Sequence, residues 1–175
     1  VTTHVATASA CIGWLIVEKM HAGHPTTLGA ASGALAGLVA ITPAAGFVSP
    51  MSSIAIGLIA GAFCYGGVLL KNKFKYDDSL DVVGIHGIGG TWGALATGLF
   101  ASTAVNAGGA DGLFFGNASQ LWIQFVSVVA TWVYCFGVSY VLFKLVDIVV
   151  GLRVTPDDEA QGLDVTQHSE TGYQL

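Results

Sequence analysis

Five stretches of this chain, at roughly 1–20, 27–42, 51–71, 79–101 and 119–149, are apolar for about a helix's length. A helix needs about 20 residues to cross a hydrocarbon core of about 30 Å. The chain is therefore read as an all-α, polytopic transmembrane helical bundle with five transmembrane helices. Composition agrees, with 53% hydrophobic and 10% charged residues and a mean hydropathy of +0.69, whereas a soluble domain carries about 25% charged residues. The net charge is −5, and most acids cluster at 77–81 and near the C-terminus. That distribution offers no basic surface, so no nucleic-acid partner is expected. Residues 1–150 are read as the membrane bundle and 151–175 as a polar tail.

The chain starts on Val1 inside an apolar run, without a Met or a basic flank. This is not a signal peptide, and the chain is expected to begin partway through a larger protein. The second stretch is short and runs into "ITPAAGFVSP", where Pro43 and Pro50 end the helix and shape a compact re-entry. The fifth, about 31 residues long, must tilt or project from the membrane. Its Trp122, Phe125, Trp132, Tyr134, Phe136, Tyr140 and Phe143 read as lipid-facing or interfacial aromatics.

Orientation follows from the cations. Lys19 follows the first stretch, Lys71, Lys73 and Lys75 follow the third, and Lys144 and Arg153 flank the end of the fifth. All six fall on one side, which the positive-inside rule makes cytoplasmic, with the tail on that side and the first residue outside. Gly33 and Gly37, Gly57 and Gly61, and Gly89 and Gly93 form small-xxx-small patterns that let helix backbones approach closely in lipid. Cys11, Cys64 and Cys135 are far apart in apolar runs and read as buried small residues.

The fourth stretch, "YDDSLDVVGIHGIGGTWGALATGLFA", holds one histidine among glycines. A helix starting near Ser79 carries His86 about 10 Å from its cytoplasmic end, within the hydrocarbon region. Gly89, Gly90 and Gly93 lie three, four and seven residues on, so His86 is expected on their face, buried against other helices. One reading is a core histidine bonded to a neighbour. The other, which the cost of placing an ionisable ring in lipid favours, is a histidine on a transport path. Asp77, Asp78 and Asp81 sit where a helix N-terminus is expected, with Asp78 or Ser79 as N-cap, and their role is read as structural. His21 and His24 fall in the loop "EKMHAGHP" without further ligands, so no metal site is expected there. His168 reads as a tail residue, and His4 has no assigned role. No nucleophile beside a base and no HExxH pattern is present, so no enzyme and no cofactor is expected.

These residues resemble the ammonium transporters, the Amt/MEP/Rh family. "DDSLDVVGIHGIGGTWGALATGLFA" is similar to that family's tenth transmembrane helix, with its D-x-x-D-x-x-x-x-H pattern. "GAASGALAGLVAITPAAGFVSP" is similar to its eighth helix and following loop, and "GLRVTPDDEAQGLDVTQHSETGYQL" to its cytoplasmic tail. The resemblance implies helices seven to eleven of an eleven-helix fold built from inverted repeats, assembled as a homotrimer with one pore per subunit in the plasma membrane. It implies ammonium or ammonia as substrate and His86 as one of two pore histidines acting in proton relay and selectivity. Val82 and Thr42 match pore-side positions, beside the alternatives of lipid or helix packing for Val82 and a backbone-bonding turn residue for Thr42. Gly151, Leu152, Arg153 and Val154, with Gly162, Leu163 and Asp164, match an ordered regulatory tail that docks PII-type nitrogen regulatory proteins. Composition alone reads that tail as disordered. A Rhesus-type ammonia gas channel and an ammonium sensor on the same fold are the alternatives.

Overall fold

The computed structural model describes residues 1–172, and the last three positions of the tail segment, 173–175, lie outside the described residues. The described secondary structure is helical throughout. Helix α1, Thr2–Ala22, ends at Gly23, whose φ of 84° forms a left-handed cap. Helix α2, Thr27–Ile41, starts at Thr26, whose hydroxyl accepts the Gly29 N–H at 2.8 Å. Helix α3, Pro50–Phe74, starts at Ser49, which accepts the Ser52 N–H at 3.1 Å, and places Pro50 where no N–H is needed. A π-helical turn, Val83–Ile88, leads directly into α4, Gly89–Phe100. A 3₁₀ turn, Leu113–Phe115, precedes the 32-residue α5, Ala118–Val149. Two short helices follow, α6, Pro156–Gln161, and α7, Leu163–Thr166.

Four of the five apolar stretches match a helix to within a few residues. The fourth starts later than expected. Asp81 has a φ of 58°, which a right-handed helix does not continue, so helical backbone begins at Val82 and not near Ser79. Among the described residues, α3 and α5 are long and apolar enough to cross a membrane by themselves, while α2 is apolar but has 15 residues.

The chain divides into two compact units, residues 1–130 and the remainder from Thr131. In the first, α1 packs against α2 and α3, and α4 packs against both α2 and α3. Glycines set how closely. A Cβ on Gly37 would lie 2.6 Å from the Ala6 carbonyl, and one on Gly33 would lie 2.7 Å from the Trp14 Cβ. Gly57 and Gly61 sit in the same way against the Ala6 and Ala10 carbonyls, and Gly93 against that of Ala40. The core this creates is built of small side chains, Ala6, Ala40, Ala44, Ala60 and Ala96 with Ile41, Val48 and Ile56. Trp92 fastens α4 to α3 by donating its indole N–H to the Ile56 carbonyl at 3.0 Å. Cys64 is buried and Cys11 partly so, but Cys135, expected to be buried, is exposed because α5 buries no residue in this chain.

The second unit has local order where composition suggested none. The Gly151 N–H bonds the Val146 carbonyl at 3.2 Å with a φ of 87°, ending α5. Thr155 caps α6, accepting the Asp158 N–H at 3.2 Å and donating to the Asp158 carboxylate at 2.9 Å. Gly162, with a φ of 102°, separates the two short helices. Asp164 accepts the Gly172 N–H at 3.2 Å, and this backbone bond holds its carboxyl below the usual carboxylate range.

Replacing Gly93 by Ala puts a methyl group on the Ala40 backbone and forces α4 off α2. The expected loss is about 1–3 kcal/mol, read as a lowered Tm of the complete protein; an unchanged Tm contradicts the packing.

Candidate functional site

The fourth helical stretch is held at its lysine-bearing end by three side chains. Asp78 accepts the N–H of Val82 at 2.8 Å and of Val83 at 2.9 Å, one carboxylate oxygen to each. These are the donors a helix start leaves without intrahelical partners. Lys71, near the end of α3, pairs with the Asp81 carboxylate and donates to the Asp78 carbonyl at 3.0 Å. The ammonium thus ties the aspartate loop to α3. Asp77 is exposed in the segment just before.

One turn on, His86 does not share the face of the packed glycines. Gly93 is buried against α2 and Gly89 between α2 and α3, facing Val39 and the Ala36 carbonyl on one and the Cys64 sulfur on the other, whereas His86 is exposed. A Cβ on Gly90 would meet no atom within 4 Å, and Gly90 lies beside His86. The cause is the π turn. Its N–H groups reach back five residues and not four, so each residue turns through a smaller angle, and the α-helical rule that groups residues i, i+3 and i+7 fails across it.

His86 and Gly90 line a shallow open cavity of about 420 Å³ together with Leu38, Val39, Thr42 and Pro43. The wall is apolar apart from the imidazole and the Thr42 hydroxyl. That hydroxyl donates to the Leu38 carbonyl at 2.7 Å, so Thr42 both bonds the backbone and lines the cavity. Val82 is exposed but lies outside this lining. The tail positions stand apart in sequence: Leu152 and Leu163 are about half exposed, Val154 is partly buried, and Arg153 approaches Glu159 at 3.6 Å.

Sequence reasoning missed a polar cluster where α1 meets α2. Glu18 is only 8% exposed, and its carboxylate accepts the Thr26 N–H at 3.1 Å and the Thr26 hydroxyl at 2.7 Å. His21, expected in a loop, is in the last turn of α1 with Nδ1 2.9 Å from the Tyr65 hydroxyl. Tyr65 also meets Trp14 edge to face, with ring centroids 5.4 Å apart. The available signal was a carboxylate eight residues before a Thr-Thr helix start.

A sequence model of the Ammonium Transporter Family matches residues 1–173. An ammonium transporter of Bacillus subtilis is 56% identical over 175 residues, covering 99% of this chain and 43% of the relative. The ammonium transporter Amt1 of Archaeoglobus fulgidus is 47% identical over 173 residues, covering 99% and 44%. The crystal structure of Saccharomyces cerevisiae Mep2 superposes with a TM-score of 0.84 at 34% identity, over 89% of this chain and 36% of that one. A structure described as a sensor Amt protein superposes at 0.82 with 32% identity, over 95% and 40%. The chain therefore spans well under half the length of the relatives it matches.

Replacing Asp78 by Ala strands the Val82 and Val83 N–H groups. The expected loss is about 1 kcal/mol, with faster amide exchange confined to residues 82–88; exchange unchanged there contradicts a capping role.

Proposed function

We propose, from the premise that this chain belongs to the ammonium transporter family, that the complete protein moves ammonium or ammonia across a lipid bilayer. This chain supplies one wall of the conduit. The observation that supports the reading is the cavity wall itself: one imidazole, one hydroxyl already bonded to backbone, and otherwise apolar surface. An ammonium ion stripped of water meets only two side-chain acceptors on such a wall, too few to replace its hydration, whereas neutral ammonia loses little. The wall therefore favours deprotonation before entry and passage as ammonia. A proton then needs its own carrier, and imidazole suits this because its two nitrogens accept and donate in turn near neutral pH.

In this reading His86 is one of two relay histidines, the second supplied by the rest of the protein, while Thr42 is a wall residue and Val82, exposed but outside the cavity lining, is a further pore-side candidate. The five helices cross the plasma membrane, with Lys71, Lys73, Lys75 and the tail on the cytoplasmic side by the positive-inside rule. The complete protein is a homotrimer whose tail, 151–175, docks a PII-type protein. The similarity to a structure described as a sensor supports a second reading, in which the same fold reports ammonium without conducting it.

The test is an ammonium pulse applied to the complete protein in liposomes on a capacitive electrode. Wild type is expected to give a saturable current that His86→Ala lowers at least about tenfold, as removal of a proton-transferring side chain does. Unchanged current in the variant overturns the relay, and a folded wild type without current points to ammonia conduction or sensing. Deleting 151–175 is expected to abolish capture by a PII-type protein while the trimer persists; capture at full strength by the truncated trimer removes the tail from the docking surface.

A further inference from the structure

The packing of α4 on α2 and the exposure of His86 make conflicting demands on one helix. Gly93 must face α2, because a side chain there would run into the Ala40 backbone, and Gly89 faces the seam of α2 and α3, where a Cβ would lie 3.1 Å from the Cys64 sulfur and 3.4 Å from the Val39 side chain. In an uninterrupted α-helix His86 lies on that same face, three and seven residues before them. Its ring would then be driven into the α2 contact. The backbone resolves the conflict by widening between Val83 and Ile88, so that the glycines keep their contact while His86 lines the cavity beside Gly90.

Such a turn is intrinsically less favourable than α-helix and is kept where its surroundings hold it. Here the surroundings are specific. The Ile85 carbonyl, at the junction where five-residue bonding gives way to four, accepts from the Gly89 N–H and also from the Cys64 thiol, 3.7 Å away. Cys64 is fully buried on α3, and a Cβ on Gly89 would lie 3.1 Å from its sulfur. One side chain therefore touches the helix on both sides of His86, as a weak donor to the residue before it and as packing against the turn after it. Below this, Gly67 and Gly84 bring the two backbones together, with a Cβ on Gly67 only 2.9 Å from the Gly84 Cα.

We propose that the π-helical turn Val83–Ile88 is the positioning element that turns His86 out of the α2 contact and onto the cavity, and that Cys64 is the positioning residue that holds it. The proposal rests on the transport reading for its consequence but not for its geometry. No other residue lining the cavity is titratable, so the imidazole reports its own placement.

The test uses the complete protein in bilayers, labelled at histidine for NMR and assayed for ammonium current per folded molecule. Cys64→Ala is expected to shift the His86 ring resonances and to lower the current several-fold. Cys64→Ser, which keeps a donor, returns both toward wild type. Gly84→Ala, which crowds the turn from its other side with contacts of 3.1 to 3.3 Å to α3, is expected to move the His86 resonances as Cys64→Ala does. Wild-type His86 resonances in Cys64→Ala overturn the proposal, as does an equal change in the Ala and Ser variants, which makes Cys64 a packing residue alone. Where Cys64→Ala does not fold, unmoved His86 resonances in Gly84→Ala overturn it. A wild type that carries no current and passes no neutral ammonia overturns the transport reading and leaves the imidazole resonances to decide this one.

Discussion

The contact on which the rest depends is the approach of α4 to α2 at Gly93 and Ala40, where one backbone rests on the other without an intervening side chain. In lipid there is no hydrophobic gain in bringing apolar helices together, because the tails are as apolar as the side chains they replace. Cohesion comes from dispersion contacts, which weaken steeply with separation, so small residues at the crossing are worth more than large ones. The same logic repeats at Gly37 on Ala6 and at Gly61 on Ala10, and it explains a core made mostly of alanine. Close backbone contact also fixes helix rotation. Once Gly89 and Gly93 are committed to α2, the direction of every other residue on α4 follows.

Polar groups act at the helix ends, where rotation and height are set. Glu18 closes on Thr26 while Thr26 caps α2, so α1 and α2 are joined through one carboxylate and one hydroxyl. Lys71 closes on Asp81 while Asp78 caps the start of the fourth stretch, joining α3 to the π turn. Each latch lies at the entrance to a helix that forms one side of the cavity, α2 with Leu38, Val39 and Thr42, and the π turn with His86. The glycines hold the helices at a fixed separation, and the latches stop them sliding along one another.

Much of this was legible in the residues. Apolar runs located five helical stretches because each run is bounded by a signal with a local mechanism, such as Thr26 and Ser49 as caps or Gly23 as a left-handed stop. The glycine pairs announced their contacts because nothing but close approach needs a bare Cα every fourth residue. Asp81 escaped, since an aspartate in a left-handed conformation looks in sequence like one more acid near a helix start. The face of His86 escaped for a deeper reason: periodicity assumes a constant turn angle, and no residue type marks a π turn. Glu18 was passed over because a buried acid and a solvated one are the same letter, and only the position of Thr26 tells them apart. Cys135 was misjudged because an apolar run does not say whether its neighbours are side chains or lipid.

The failure at His86 also indicates where the chemistry lies. A sequence whose local and tertiary preferences agree everywhere gives an unbroken helix, and departures are retained where something other than packing depends on them. Here a regular helix that kept Gly89 and Gly93 in their contacts would send His86 into a crowded helix crossing. The irregular one keeps the same packing and delivers the only titratable ring of the cavity lining to an apolar wall. The wider backbone between Val83 and Ile88 leaves Gly89 and Gly93 in their contacts. What it changes is the direction of one imidazole, which makes that direction the property the fold is built to keep.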